Sequence, residues 1–191
     1  KSSLVEESKG TLICEEDSSM EQPVVSGIMI DKNQAKITVK GVPDHPGIAS
    51  KFFTGLAEGN LSVDMIIQNV SDENHTDISF TVTKEDINKA TKIVQELGKL
   101  IEARDISADP NICKVSIVGA GMRSHPGVAA KMFSALSNEN INIIMISTSE
   151  IRVSCIIEEK YGELAVRVLH KVFNMNKAEK NSALKDNDES I

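Results

Sequence analysis

The sequence predicts an α+β fold of two similar βαββαβ domains with antiparallel sheets, the first inserted within the second. Three observations support this prediction: an internal repeat, a switch of the hydrophobic period between strand and helix within each copy, and an unassigned strand before the first copy. The chain has 191 residues, of which 40% are hydrophobic and only 3% aromatic. This length permits one ordinary domain or two small ones, and the composition predicts aliphatic cores.

The internal repeat is visible in three pairs of segments. They are AKITVKG at 35–41 with CKVSIVG at 113–119, HPGIASKFFTGLA at 45–57 with HPGVAAKMFSALS at 125–137, and NLSVDMI at 60–66 with NINIIMI at 140–146. A solenoid would need more than two repeats to bury its faces. The repeat therefore predicts a tandem pair of domains.

The first copy predicts strand, helix, two strands and helix in that order. Ile37 and Val39 begin an alternating strand, and Pro46 and Gly47 end it where a helix starts, a place where proline loses no hydrogen bond. The spacing of apolar residues predicts the remaining elements. These residues are Ile48, Phe52 and Leu56 for the helix, Leu61, Val63 and Met65 and then Ile78, Phe80 and Val82 for the strands, and Ile87, Ala90, Ile93, Val94 and Leu97 for the second helix.

The second copy repeats this order. Its predicted elements are a strand at 113–118, a helix at 127–138, strands at 141–147 and 151–157, and a helix at 161–173.

A βαββαβ domain needs a fourth strand after its second helix. The first copy has a candidate at 102–106, but the polar sequence from Asn174 onward offers none to the second copy. A well-patterned strand at 24–30 is left over. We therefore expect this upstream strand to complete the sheet of the second copy.

The domain boundaries follow from this arrangement. Because the chain starts at Lys1 and not at Met, we expect an upstream part. The predicted segments are an N-terminal flank at 1–20, a strand segment at 21–33 that completes the second domain, the first domain at 34–108, the second domain at 109–175, and a disordered polar tail at 176–191.

Charge and cysteine content argue against nucleic-acid binding and against a metal site made of cysteines. The formal net charge is −7, and no cluster of Lys and Arg is present to displace counterions from a nucleic acid. No apolar run approaches the ~20 residues that span a bilayer. Cys14, Cys113 and Cys155 lie far apart and form no metal-binding pattern, so we expect reduced thiols in a cytoplasmic protein.

The loop at 44–49 before the first helix is the main candidate for chemistry. A helix start offers unpaired N–H groups to an anion such as an amino-acid carboxylate, and Gly47 allows close approach to the backbone. Asp44 is suited to hold an ammonium group. The alternative is that Asp44 only caps the helix and that Pro46 and Gly47 only turn the chain.

The strand that follows carries Asp64 and Gln68, which share parity and are expected on one face, with Ile66 between them. Such a face suits a small zwitterion, and the alternative is a solvated strand. His45 and His125 have no neighbouring second ligand in sequence, which disfavours a metal site.

Enzyme motifs are lacking in the sequence. The Gly-Ala-Gly at 119–121 lacks the third glycine of a dinucleotide fingerprint. No phosphate-binding loop and no nucleophile elbow occurs, and Ser147, Thr148 and Ser149 lack a plausible base.

Longer motifs resemble a known family. VDMIIQNVS at 63–71, KVSIVGAGMRSHPGVAAKMF at 114–133 and INIIMISTSEIRVSCII at 141–157 resemble the ACT domains in the C-terminal regulatory region of bacterial aspartate kinase, which some bacteria make as a separate β subunit. The resemblance implies two nested, ferredoxin-like ACT domains that pair in a homodimer. It also implies that lysine, threonine or both bind between the first domain of one chain and the second of the other, and inhibit the kinase of the lysine, threonine and methionine pathway.

The resemblance also assigns residues. Effector-binding positions would be Asp44, His45, Pro46, Gly47, Ile48, Ala49, Asp64 and Gln68 of one chain with Asn142, Ile143 and Ile144 of the other, and a second site would use Ala129, Ser147 and Ser149.

No catalytic residue is expected in this chain. ATP and Mg²⁺ would belong to the kinase domain or α subunit, which would be its partner. Two other functions stay open on the residues alone: a stand-alone amino-acid-binding dimer with another output, and a small metabolic enzyme that uses the cleft between the domains.

Overall fold

The computed structural model describes residues 24–71, 74–120, 122 and 125–175. The predicted flank at 1–20 and tail at 176–191 lie outside the described residues. The elements are β1 (Gly27–Pro43), α1 (Ile48–Glu58), β2 (Ile66–Ser71), β3 (His75–Val82), α2 (Ile87–Leu100), β4 (Asp105–Val118), α3 (Val128–Asn138), β5 (Met145–Thr148), β6 (Arg152–Glu158), a 3₁₀ turn (Glu159–Tyr161) and α4 (Gly162–Val172).

The six strands form one antiparallel sheet in the order β2-β3-β1-β4-β6-β5. The long strands β1 and β4 run side by side, so that Gly27 pairs with Val118 at one end and Lys40 with Asp105 at the other. The upstream part of β1 therefore completes the sheet of the second copy, as predicted from the sequence. The α+β architecture with one unit inserted in the other is confirmed.

Two halves are defined by this pairing. The first half contains α1, β2, β3, α2, the end of β1 and the start of β4. The second half contains α3, β5, β6, α4, the start of β1 and the end of β4.

Continuity of the long strands was not predicted. The sequence suggested separate strands at 24–30, at 35–41, at 102–106 and at 113–118, whereas the polar stretch from Asp31 to Gln34 lies inside β1. The pairing of β1 with β4 shifts register at this stretch, yet hydrogen bonds from the neighbouring strand keep the backbone extended there.

The second strand of each copy begins later than its apolar pattern suggests. Asp64 N–H donates to Thr81 O (3.0 Å), while Thr81 N–H donates to Met65 O (3.0 Å), so two residues oppose one in a β-bulge. Ile144 N–H similarly donates to Ile156 O (2.8 Å), although Met145 is the residue paired with Ile156. The strands thus begin only at Ile66 and at Met145.

Each half has a core between its helices and its sheet. The first core is not wholly aliphatic, because Phe52, Phe53 and Phe80 meet edge to face with ring centroids 5.3–6.1 Å apart. The buried residues of the second core are non-aromatic and include the thiols of Cys113 and Cys155, while partly buried Phe133, Tyr161 and Phe173 pack against it.

A third apolar cluster lies on the face of the sheet away from the helices, which we call the helix-free face. It contains Met65, Ile112, Met145 and Ile156. Ile112 and Ile156 alternate with residues of the second core, so they point to the opposite face. Met65 belongs to the first half, and the other three residues belong to the second half. The contacts within this cluster therefore hold the two halves together.

Candidate functional site

The loop before α1 ends at a residue that only glycine occupies without strain. Gly47 is the N-cap and has a φ of 97°, and no side chain caps the helix. The equivalent Gly127 has a φ of 96° before α3. The alternative in which Asp44 caps α1 is therefore wrong: Asp44 is exposed and is held through its backbone N–H, which donates to Asn74 O (2.7 Å).

A cavity of about 490 Å³ adjoins this loop. It is lined by four predicted site residues together with Pro43, Lys51, Leu100, Ile101 and Glu102; the four are His45, Pro46, Gly47 and Ile48. Asp44 and Ala49 lie in the same loop and first helical turn. The loop therefore presents its residues at the surface beside the C-terminal end of α2.

Asp64 and Gln68 do not share a face, contrary to the prediction from parity. After the bulge at 64–65, Ile66 pairs with Phe80 and Gln68 pairs with Ile78, and paired residues of an antiparallel sheet share a face. Phe80 and Ile78 belong to the first core, so Gln68 lies on the face that carries the helices. Asp64 lies on the helix-free face, since the bulge shifts the alternation by one residue.

Asp64 forms an ion pair with Lys114 of the second half. The Lys114 side chain is only 13% exposed, and its Nζ also lies 3.8 Å from Asp31 Oδ2. The sequence analysis missed Lys114. A lysine between Ile112 and Ser116 on one face of a mostly buried strand was the available signal, because such a charge needs a partner.

This ion pair lines a cleft of about 240 Å³ between the two halves. Its other lining residues come mainly from β5 and β6 and are rich in hydroxyl groups; the full lining is Asp64, Met65, Lys114, Ser147, Thr148, Ser149, Ile151, Arg152 and Ser154.

The loop of the second copy adjoins a cavity of about 440 Å³. Two residues of the expected second site, Ala129 and Ser149, line it together with His125, Pro126 and Gly127. Ser147, the third, lines the cleft between the halves instead. Ser124, the nearest counterpart of Asp44, lies outside the described residues.

The residues expected to contact the effector bound to a partner chain, 142–144, lie directly before β5. Asn142 is exposed, Ile143 packs against the second core, and Ile144 packs against the third cluster. Of these three side chains, Asn142 is therefore the one most open to a partner.

The described part of the chain offers little support for a metal site or a reactive thiol. No group of three His, Cys, Asp or Glu residues there is placed to hold a metal ion. Burial raises the pKa of the Cys113 thiol to about 11 and that of Cys155 to about 12, so both stay protonated at neutral pH. None of the helices described is long and apolar enough to cross a membrane.

The sequence model of the ACT domain matches residues 36–97 and 115–173, one match in each copy. The chain belongs to the ACT domain family. An aspartate kinase of Stutzerimonas stutzeri is 53% identical to this chain over 179 residues. The match covers 93% of this chain and 43% of that kinase. The ACT chain thus spans less than half the length of the curated kinases it matches.

Two solved structures match the chain over nearly their whole length. The regulatory subunit of aspartate kinase from Thermus thermophilus is 43% identical with a TM-score of 0.75, covering 78% of this chain and 99% of that one. A structure of aspartokinase alpha and beta subunits is 56% identical with a TM-score of 0.74 and the same coverage. The chain therefore belongs with the regulatory ACT regions of aspartate kinases.

Proposed function

We propose that this regulatory region senses the end products of the pathway that its kinase opens. It binds lysine, threonine or both, and the bound amino acid restrains phosphorylation of aspartate by the catalytic part. The observation that carries the proposal is the pair of loops at Gly47 and Gly127, each with a left-handed glycine opening a helix beside a cavity. Such helix starts favour a carboxylate through their free N–H groups and dipole.

The site is completed in a homodimer. β2 and β5 are the outermost strands of the sheet, so each has one backbone edge that no other described strand pairs with. Ile66 on β2 is 49% exposed and Ile146 on β5 is 43% exposed, and they occupy equivalent positions in the two copies. Exposed apolar edge strands favour pairing with another chain, and pairing β2 of one chain with β5 of a second covers both edges.

This pairing joins the proposed residues of the two chains. The loop at 44–49 and Gln68 of one chain come to lie beside Asn142 of the other. We leave Asp64 out of this site, because it opposes Thr81 on the helix-free face, whereas the loop follows Pro43, which pairs with His75 at the other end of β3. A ligand held by two chains has more contacts in the dimer than in either half. By linkage it then stabilises the dimer by the free energy that the dimer adds to its binding.

Catalysis belongs to another part of the kinase under this proposal. The catalytic domain or α subunit would hold ATP and Mg²⁺, and the chain alone would not phosphorylate aspartate. We propose that the bound amino acid tightens the dimer and that this change is transmitted to the catalytic part.

Calorimetry tests the proposal directly. The chain is titrated with L-lysine and with L-threonine, with L-leucine as the control, and sedimentation equilibrium is measured with and without each. We expect saturable binding of lysine, threonine or both, and a dimer that tightens with the amino acid that binds. Absence of binding to both would overturn the proposal, and tight binding without any change in dimer dissociation would place the site within one chain.

A further inference from the structure

The cavity of about 490 Å³ beside the first loop presents charged groups of both signs. Lys51 of α1 and Glu102, which follows the C-terminal end of α2, both line it, and both are exposed. Asp44, which the sequence suggested for the ammonium group, is not among the described residues that line this cavity. The cavity therefore offers a cation and an anion, as a zwitterionic amino acid requires.

Lys51 lies in the first turn of α1, where its N–H donates to Gly47 O (2.9 Å). Side chains of a helix point back toward its N-terminus. The Nζ atom donates to Leu100 O at 3.3 Å, and because an ammonium group has three N–H donors, others stay available to a ligand. Since the positive end of a helix disfavours a cation, a carboxylate bound there and the Lys51 side chain would stabilise each other.

The repeat shows that the same lysine position is used differently in the second half. Lys131 is the counterpart of Lys51, and its N–H likewise donates to Gly127 O (2.8 Å). Its Nζ, however, lies over the ring of Phe173, 5.0 Å from the centroid, and Lys131 is not among the described residues that line the second cavity. The helix start thus does not dictate where the lysine points, and Lys131 is a matched control.

Glu102 has a backbone conformation that its residue type does not favour. Its φ is 56°, and the other four non-glycine residues with positive φ in the described part of the chain are all asparagine. One of them, Asn174, occupies the same place after α4 as Glu102 does after α2. Asparagine adopts left-handed backbone more readily than glutamate, so the fold alone does not require a carboxylate at this position. Departures of this kind cluster at ligand sites.

We propose that Lys51 and Glu102 orient the effector at the first loop. The ammonium group of Lys51 holds the carboxylate of the amino acid beside the free N–H groups of α1, and the carboxylate of Glu102 holds its α-ammonium group. Neither residue belongs to the site predicted from the sequence. The inference rests on the proposed function and adds the two charges that select a zwitterion.

Calorimetric titration of the whole chain with L-lysine and L-threonine tests Lys51. Lys51→Met keeps most of the apolar stem and removes the charge. We expect it to weaken binding roughly tenfold, the low end for a hydrogen bond to a charged group, because the cavity is open to solvent. Lys131→Met should leave the affinity unchanged. Wild-type affinity in Lys51→Met, or an equal loss in Lys131→Met, would overturn the role of Lys51.

Glu102→Asn separates binding from folding. Because asparagine suits the left-handed backbone, urea unfolding should give a stability equal to or above that of the wild type. Calorimetry should nevertheless find binding of the amino acid weakened roughly tenfold, since the ammonium group loses its carboxylate. A folded variant with wild-type affinity would remove Glu102 from the site.

A change in the ligand tests the carboxylate contact independently. L-Lysinamide and L-threoninamide carry an uncharged amide in place of the carboxylate, so the wild type should bind each acid more tightly than its amide. This preference should be about tenfold smaller in Lys51→Met, as coupling between the two charges predicts. If circular dichroism shows Lys51→Met to be unfolded, the wild type decides: equal affinity for acid and amide would overturn the carboxylate contact.

The outcomes separate this inference from the proposed function. If the wild type binds an amino acid and either Lys51→Met or Glu102→Asn binds it as tightly, orientation by two charges is overturned and the proposed function stands. If neither the wild type nor any variant binds lysine or threonine, both proposals fail together.

Discussion

Replacing Gly47 by alanine separates the strain of the helix-entry loop from its role in binding. Gly47 has a φ of +97° and Gly127 a φ of +96°, and a Cβ added at either position would meet no atom of the described residues within 4 Å. The protein itself therefore offers no steric clash, and the cost of either substitution is that of an L-residue in left-handed backbone, about 1–2 kcal/mol.

The two alanine variants should lose nearly the same free energy of unfolding. For a chain of this size we expect the melting temperature to fall by about 2–8 °C in each, since about 2–4 °C is lost per kcal/mol. Urea unfolding monitored by circular dichroism checks the equality, and Gly127→Ala is the control for Gly47→Ala.

Binding should distinguish the two variants. The new methyl group of Gly47→Ala projects into the space from which a ligand approaches the loop, so we expect loss of about tenfold or more in affinity at the first site. Gly127→Ala should keep that affinity, and its loss should be confined to any second site. Equal loss of affinity in both variants would refute the assignment of the main site to the first loop, and unchanged stability in either would refute the strain argument.

Three further results are expected. Asp64→Ala should lower the free energy of unfolding by about 0.2–1 kcal/mol through loss of its ion pair with Lys114, and urea unfolding that finds wild-type stability would contradict this. Gly119→Ala should lower the free energy of unfolding by about 1–3 kcal/mol or more, because its Cβ would lie 1.9 Å from Val24 O; urea unfolding measures this, and wild-type stability would contradict it. Because burial raises the pKa of Cys113 to about 11 and of Cys155 to about 12, both thiols should resist iodoacetamide at pH 8 in the folded chain. Stability should fall above pH 9, where only the unfolded thiols ionise; alkylation of either native thiol, mapped by mass spectrometry, would count against this burial.

The elements of each copy were predictable because their signals are local. The spacing of Ile48, Phe52 and Leu56 predicted α1, and the same pattern after Gly127 predicted α3, which the structure begins at Val128. Gly47 was also identified from sequence as the residue that opens α1, since a turn into a helix at positive φ admits few other residues, whereas Gly127 was placed inside the predicted helix at 127–138 and precedes it in the structure.

The nested arrangement was predictable for a different reason. A βαββαβ unit without its fourth strand leaves a sheet edge and a helix face uncovered, so the unassigned strand at 24–30 had one place to go. Its pairing with β4, from Gly27 opposite Val118, follows that logic.

Apolar alternation alone could not locate the bulges. Leu61, Val63 and Met65 alternate as a regular strand would, but Asp64 and Met65 both oppose Thr81. A bulge depends on hydrogen bonds to a strand that lies further along the chain, and a shift of one residue moves every later side chain to the other face. For this reason the sequence placed Asp64 and Gln68 together, whereas the fold separates them.

The sequence by itself determined the repeat, the helices, Gly47 at the start of α1 and the family of this chain, because each is encoded in neighbouring residues. The tertiary structure alone decided that β1 and β4 are continuous and that Lys114 meets Asp64, residues 50 positions apart. Such contacts depend on how two halves pack across the helix-free face. The distance between their charges is set by that packing, and no local pattern of residues encodes it.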